Sequence, residues 1–184
     1  MSHINLFGTP VWKHFVEAPE EFNRNLFVQG ESFIRGMNYF DLPGDAIAEL
    51  KVSVLGLSKS IAAEFNWNRQ IAFIKGRQNP IHKNQIDSPH HHSSAKLVGV
   101  YYVSANLGQG DILLHDPRGA TTWDDPQARS DDGKTMRSFH RITPVSGMLL
   151  LFPGYLIHSV EPNLTDDVRL SIAIEVYTEF PSEH

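Results

Sequence analysis

The sequence predicts a mainly β fold, a jelly-roll-type barrel with a helix packed against it. Three observations carry this reading. After Asn66 the apolar residues fall into short runs separated by turn residues, the pattern of strands. No helical periodicity lies between those runs, which favours an antiparallel sandwich or barrel over alternating βαβ units. Ahead of them Ile47, Leu50, Val54, Leu57, Ile61 and Phe65 recur at steps of three and four, one face of an amphipathic helix.

Taken in order, the first forty residues are mixed, with short apolar stretches at Leu6–Phe7 and Val11–Trp12. Pro43-Gly44-Asp45 reads as a turn in which Asp45 caps a helix over about residues 45–66, interrupted only weakly by Gly56. Strands are expected at Ile71–Ile74, Leu97–Val103, Ile112–Leu114, Met148–Phe152 and Leu170–Tyr177, with a weaker pattern at Phe139–Ile142. Asn106–Gly110, Pro144–Gly147, Phe152–Gly154 and Glu161–Asp167 read as turns or loops. The polar stretch Arg118–Lys134 is expected to cross the barrel mouth, where loops often carry function. The 184 residues fit one domain, 1–184, with an N-terminal elaboration over 1–68 and a barrel core over 69–180.

Composition narrows the chemistry. Hydrophobic residues make up 41% and charged residues 20%, as in ordinary globular proteins, so disorder is not expected. A formal charge of −5 with scattered basic residues gives no field for nucleic acid or anionic lipid. Cysteine is absent, which excludes disulfides, thiolate metal sites and cysteine nucleophiles. Any transition metal must then be held by imidazole and carboxylate, and ten histidines are available. No secretory signal pattern opens the chain, and no apolar run nears the ~20 residues that span a bilayer. The expectation is a cytoplasmic enzyme.

The informative segment is Pro89-His90-His91-His92-Ser93, just ahead of the strand Leu97–Val103. In extended chain, alternate side chains share a face, so His90 and His92 point one way and His91 the other. Two imidazoles on one face can take adjacent positions on a metal. His158, after a strand and the Pro153-Gly154 turn that would re-aim the chain, is the best third candidate. Eleven residues later Arg169 opens the last strand, sharing a face with Ser171 and Ala173. An arginine with a neighbouring hydroxyl suits a bidentate grip on a carboxylate. A histidine triplet can equally be solvated loop, and a single histidine a hydrogen-bonded strand end. The combined order, His-x-His, a distal His, then Arg-x-Ser, outweighs those bland readings.

These residues resemble a known family. His90–Tyr102, His115-Asp116-Pro117-Arg118, Gly147–Pro153, His158–Asn163 and Arg169–Ile172 are similar to the bacterial and phage branch of the iron(II)/2-oxoglutarate-dependent oxygenases, akin to the prolyl hydroxylases. The resemblance spans roughly residues 85–178, and the opening Leu6–Pro10 is also similar. It implies a double-stranded β-helix, cupin-like, with iron at one end. It further implies Fe(II), 2-oxoglutarate and O2 as cofactor and co-substrates, with decarboxylation to succinate and hydroxylation of a substrate. By motif position His90, His92 and His158 would be the metal ligands. Arg169 would take the distal carboxylate of 2-oxoglutarate, helped by Ser171 and Tyr102.

One departure matters. The wider superfamily uses His-x-Asp or His-x-Glu, whereas no histidine here is followed two places later by Asp or Glu. Three neutral histidine ligands are the direct reading, and they leave more positive charge on the iron. Two rescues rank below it. Asp87, Asp111 or Asp116 would supply a carboxylate from another strand, or His91-x-Ser93 or His92-x-Ser94 would leave a vacant position, as in related halogenases.

At the mouth, Asp116, Arg118 and Trp123 are candidates for substrate contact, although an Asp116–Arg118 pair fixing a turn is the favoured reading of the first two. Tyr102 reads equally well as a core tyrosine, and His115 as a strand-end histidine more often than a reserve ligand. The substrate is a small molecule or peptide that no motif specifies, and a homodimer built on the N-terminal region is one expectation for assembly. Two alternatives follow in rank: a three-histidine cupin-type dioxygenase independent of 2-oxoglutarate, and a non-catalytic module binding a metal or small carboxylate.

Overall fold

A computed structural model describes residues 8–118 and 139–181. The chain runs β1 (Trp12–Phe15), α1 (Pro19–Gln29), α2 (Asp45–Glu64), β2 (Gln70–Ile81), β3 (Asp87–His90), β4 (Leu97–Ser104), β5 (Ile112–His115), β6 (Phe139–Ile142), β7 (Met148–Pro153), β8 (His158–Val160) and β9 (Arg169–Glu179), with short 3₁₀ turns at Gly30–Ser32 and Tyr39–Asp41. Two antiparallel sheets form the jelly roll: β1-β7-β4-β9-β2 and β3-β8-β5-β6.

Strand parity sorts the side chains of the larger sheet. On β4, Leu97, Tyr101 and Val103 join Leu170, Ile172, Ile174 and Val176 of β9 against the helices. Val98 and Tyr102 point the other way, into a second core with Ile112, Leu114, Leu150 and Phe152 between the sheets. The interior face of β9 therefore carries Arg169, Ser171, Ala173 and Glu175, as a period of two requires.

The α2 helix meets the expected apolar stripe, with Ile47, Leu50, Val54 and Ile61 buried on the sheet. Each such side chain contributes about 1.5–3 kcal/mol of burial. Its start corrects the sequence reading. Gly44, not Asp45, is the N-cap residue, and no side chain of its own caps the helix. Gln29, at the end of α1, reaches over instead, its Oε1 accepting from the backbone N–H of Ala46 at 3.1 Å and of Ile47 at 3.3 Å. The last expected stripe residue, Phe65, lies just past the helix and packs edge-on against Trp12.

Two further differences have physical causes. The α1 helix departs from the expected elements, because its eleven residues are mostly polar and bury only Asn23 and Leu26. Its signals were Pro19 in the first turn followed by Glu20 and Glu21. The division at residue 68 is also not clean, since β1 pairs with β7 from Trp12↔Leu151 to Phe15↔Met148 and completes the edge of the larger sheet. Tyr101 ties α1 to this sheet, its hydroxyl donating to Asn23 Oδ1 at 2.6 Å. No described helix is long and apolar enough to cross a membrane.

Candidate metal centre

The site is built by register. β3 and β8 pair antiparallel with His90 directly opposite His158, which places the two rings 4.3 Å apart between centroids. His92 lies two residues past the end of β3, its ring 5.2 Å from His90 and 5.4 Å from His158. Its backbone is pinned to the β7–β8 turn, with the His92 N–H donating to the Gly154 carbonyl at 2.8 Å. Gly154 is required there by close approach, because a Cβ at that position would sit 2.1 Å from the Ala95 carbonyl oxygen and 2.8 Å from that of His92. His91 is exposed, as parity predicts.

One ring nitrogen from each of His90, His92 and His158 lies within 4.8 Å of the other two, a spacing that suits a shared metal ion. Hydrogen bonds decide which nitrogens those are. His90 Nδ1 lies 2.7 Å from the Ser88 carbonyl, His158 Nδ1 3.0 Å from the Leu156 carbonyl, and His92 Nδ1 2.5 Å from Glu175 Oε1. Carbonyls and carboxylates only accept, so every Nδ1 carries hydrogen and donates. That leaves each Nε2 lone pair available for a metal. Burial, with the neighbouring imidazoles, pushes His158 down to about 4 and keeps its ring neutral at physiological pH, the state a ligand needs.

Beside the histidines the barrel interior holds a cation with no ion pair among the described residues. Arg169 is 1% exposed, and Nη1 donates to the Gly110 carbonyl at 3.1 Å. Its Nε has no hydrogen-bond partner among the described residues, and neither has the buried hydroxyl of Tyr102. The Arg169 guanidinium carbon lies 5.7 Å from the centroid of the Tyr102 ring. Burial pulls the arginine below its ordinary value, opposed by Tyr102 and Asp87, while burial raises the Tyr102 phenol. A buried guanidinium with no carboxylate partner among the described residues is costly, and a bound carboxylate would relieve it. The donor set thus fits both groups: three neutral imidazoles for a divalent metal, and Arg169 with Tyr102 for a carboxylate. Ser171 is buried beside them, but its hydroxyl is directed to the Asn79 carbonyl at 3.3 Å.

Other expected residues fall elsewhere. Asp116 and Arg118 close on each other through forked bonds of 3.0 and 2.6 Å and do not line this pocket. Trp123 and most of the 118–134 stretch lie outside the described residues. His115 Nε2 pairs with the Ser159 hydroxyl at 2.9 Å, away from the triad. Of the carboxylates weighed as replacements, Asp111 faces Arg141 at 3.7 Å, and only Asp87 lines the pocket, 3.9 Å from His90 on the Nδ1 side. The pocket wall adds Arg77 and Asn79 from β2, which no sequence pattern marks because the apolar run that predicts this strand ends at Ile74 while the strand continues to Ile81.

Three convergent imidazoles and a buried arginine thus line one pocket of this jelly roll. The chain belongs to the family described as "Putative 2OG-Fe(II) oxygenase", whose pattern matches residues 78–175. It is an iron(II)/2-oxoglutarate-dependent oxygenase, an oxidoreductase. No curated protein matches the chain in sequence. Among solved structures it is similar in fold to a Pseudomonas putida prolyl-4-hydroxylase, with a TM-score of 0.65 and 13% identity over 92% of this chain and 88% of that one. It is also similar to HygX from Streptomyces hygroscopicus, solved with nickel and 2-oxoglutarate bound, with a TM-score of 0.58 and 16% identity over 92% and 83% of the two chains. SnoK, an alpha ketoglutarate dependent carbocyclase from nogalamycin biosynthesis, gives 0.61 and 9% over 93% and 80%.

Proposed function

We propose that His90, His92 and His158 hold iron(II) through their Nε2 atoms, and that Arg169 and Tyr102 bind the distal carboxylate of 2-oxoglutarate in an enzyme that hydroxylates a small molecule or peptide. The observation that carries this reading is a pair of buried donors with no partner among the described residues, Arg169 Nε and the Tyr102 hydroxyl, on the wall beside the histidine cluster. A buried donor without an acceptor is costly, so its retention marks a place for a ligand acceptor.

When bound there, the iron, with 2-oxoglutarate and oxygen, supplies the oxidation, yielding succinate, carbon dioxide and hydroxylated product. The chain's own residues orient and protect that chemistry. Ser88, Leu156 and Glu175 fix the three ring tautomers. Arg169 offers a forked, always-charged partner to a carboxylate, and Tyr102 a single neutral donor. Val98, Val100, Ile112, Val160 and Ala173 line the pocket with apolar surface, which excludes water and strengthens those bonds. Ser171 assists only as a lesser partner while its hydroxyl is directed to Asn79.

The cytoplasm is the location we propose, as the default for this enzyme, and a chain without cysteine carries no disulfide that would point to an oxidising compartment instead.

The test is iron-dependent formation of succinate from 2-oxoglutarate by the full chain, compared with His158→Ala. Succinate formation should fall to background in the variant. Equal turnover by the two proteins would remove His158 from the metal site and overturn the reading.

A further inference from the structure

The His-x-His pattern puts a histidine, His92, where the wider superfamily has a carboxylate, yet a carboxylate stands directly behind it. Glu175 Oε1 accepts from His92 Nδ1 at 2.5 Å, and Tyr177 donates its hydroxyl to the other oxygen, Oε2, at 2.6 Å. Both oxygens are thereby held, and the carboxylate is partly buried, 30% exposed behind a histidine side chain that is 15% exposed. Glu175 lies on the same strand face as Arg169, six residues along β9.

We infer that Glu175 is a positioning residue for the metal centre, fixing His92 and returning through one hydrogen bond the negative charge that a His-x-Asp or His-x-Glu pattern places in direct contact. This rests on the assignment of His92 as a ligand made above. Two independent features set His92 apart. The first is mechanical. His90 sits in β3 and His158 in β8, so strand register aims their rings, whereas His92 lies beyond β3 with no ladder of its own. The second is electrical. Ser88 and Leu156 offer neutral carbonyls to their histidines and Asp87 stands off at 3.9 Å from His90 Nδ1, so among the described residues His92 is the one of the three hydrogen-bonded directly to an anion. A carbonyl orients an imidazole. A carboxylate also draws on its N–H, making the distal nitrogen a stronger donor to a metal otherwise bound by neutral ligands.

The carboxylate is also kept free for this use. Lys75 is its cross-strand partner in the β2–β9 register. The lysine ammonium lies over the Phe73 and Tyr177 rings, 5.7 and 5.4 Å from their centroids, and forms no ion pair with Glu175 among the described residues.

Cobalt(II) titration of the metal-free full-length chain, read by its visible absorption bands, tests this in wild type, Glu175→Gln, Glu175→Ala and His92→Ala. Removing an outer partner of a ligand histidine typically weakens metal binding by about 10–100-fold. Glu175→Ala should show a loss in that range with shifted bands, Glu175→Gln a smaller loss, since it keeps an acceptor and drops the charge, and His92→Ala the largest. Circular dichroism and thermal melting should match wild type for Glu175→Gln, which carries the test if Glu175→Ala does not fold. A weakened His92→Ala beside Glu175 variants with wild-type affinity and bands would overturn the role of Glu175 and leave the ligand assignment standing. Wild-type binding by His92→Ala would overturn the ligand assignment itself, and the inference with it.

Discussion

Tyr102 and Arg169 face each other inside the barrel, the guanidinium carbon 5.7 Å from the tyrosine ring centroid, and each keeps a buried donor atom without a partner among the described residues. β4 and β9 bring them together where the pairing slips, between Tyr102↔Ser171 and Ser104↔Leu170. Bulges of this kind re-aim side chains and concentrate next to functional sites. The pair is polarised for an anion before any anion arrives.

Arg169→Ala should therefore leave metal binding intact and raise the 2-oxoglutarate requirement steeply. Losing one partner of a buried charge pair costs about 2–5 kcal/mol, so the rise should be on the order of 100-fold. Thermal melting of the metal-loaded chain gives a second check: 2-oxoglutarate should raise the midpoint of wild type and not that of the variant. An unchanged requirement would remove Arg169 from the co-substrate site.

Tyr102→Phe should act more gently. A neutral hydrogen bond contributes about 0.5–1.5 kcal/mol, which corresponds to roughly 2- to 12-fold weaker 2-oxoglutarate binding. Because the hydroxyl has no protein partner among the described residues, denaturant unfolding without co-substrate should show no loss of stability. A loss above about 1 kcal/mol would mean the hydroxyl serves the fold instead.

Gly154→Ala strikes the metal centre through the backbone. The new methyl would meet the Ala95 and His92 carbonyl oxygens at 2.1 and 2.8 Å, and backbone cannot swing aside as a flexible side chain does. We expect about 1–3 kcal/mol of destabilisation, as for other overpacked sites, together with weakened metal binding as the His92 segment is displaced. Wild-type metal affinity would show that the His92–Gly154 contact does not set the site.

Alkaline stability should reveal the buried tyrosines. Tyr39 is fully buried, its hydroxyl donating to the Leu26 carbonyl at 3.0 Å, and burial pushes it up to about 12, only partly offset by Gln78. Tyr101 and Tyr102 are also raised by burial. The folded chain holds these protons above pH 10 while the unfolded chain releases them. Their stabilising contribution is complete below the unfolded value near 10 and is lost as pH rises through the folded values. Unfolding free energy measured against pH should fall from about pH 10 upward, by up to ~1.4 kcal/mol per pH unit for each such group, and Tyr39→Phe should flatten the slope.

What the sequence made legible followed from parity and spacing. A period of two correctly put Val98 and Tyr102 inside the barrel and Arg169 with Ser171 on one face of β9, and the three-to-four spacing located α2. Long-range pairing was invisible. Nothing local in the chain states that His90 would lie opposite His158, or that Gln29 would cap α2. Glu175 was within reach, since the parity that groups Arg169, Ser171 and Ala173 continues to it, but its bond to His92 spans 83 residues. The Asp116–Arg118 pair was readable because both partners sit in one turn.

The central claim, three neutral ligands and a carboxylate held by Arg169, is tested most directly by a crystal structure of the chain grown without oxygen in the presence of iron(II) and 2-oxoglutarate. We predict Nε2 of His90, His92 and His158 as the protein ligands, with the distal carboxylate on Arg169 and Tyr102. Coordination by His91, or by a carboxylate of Asp87 or Glu175, would contradict it.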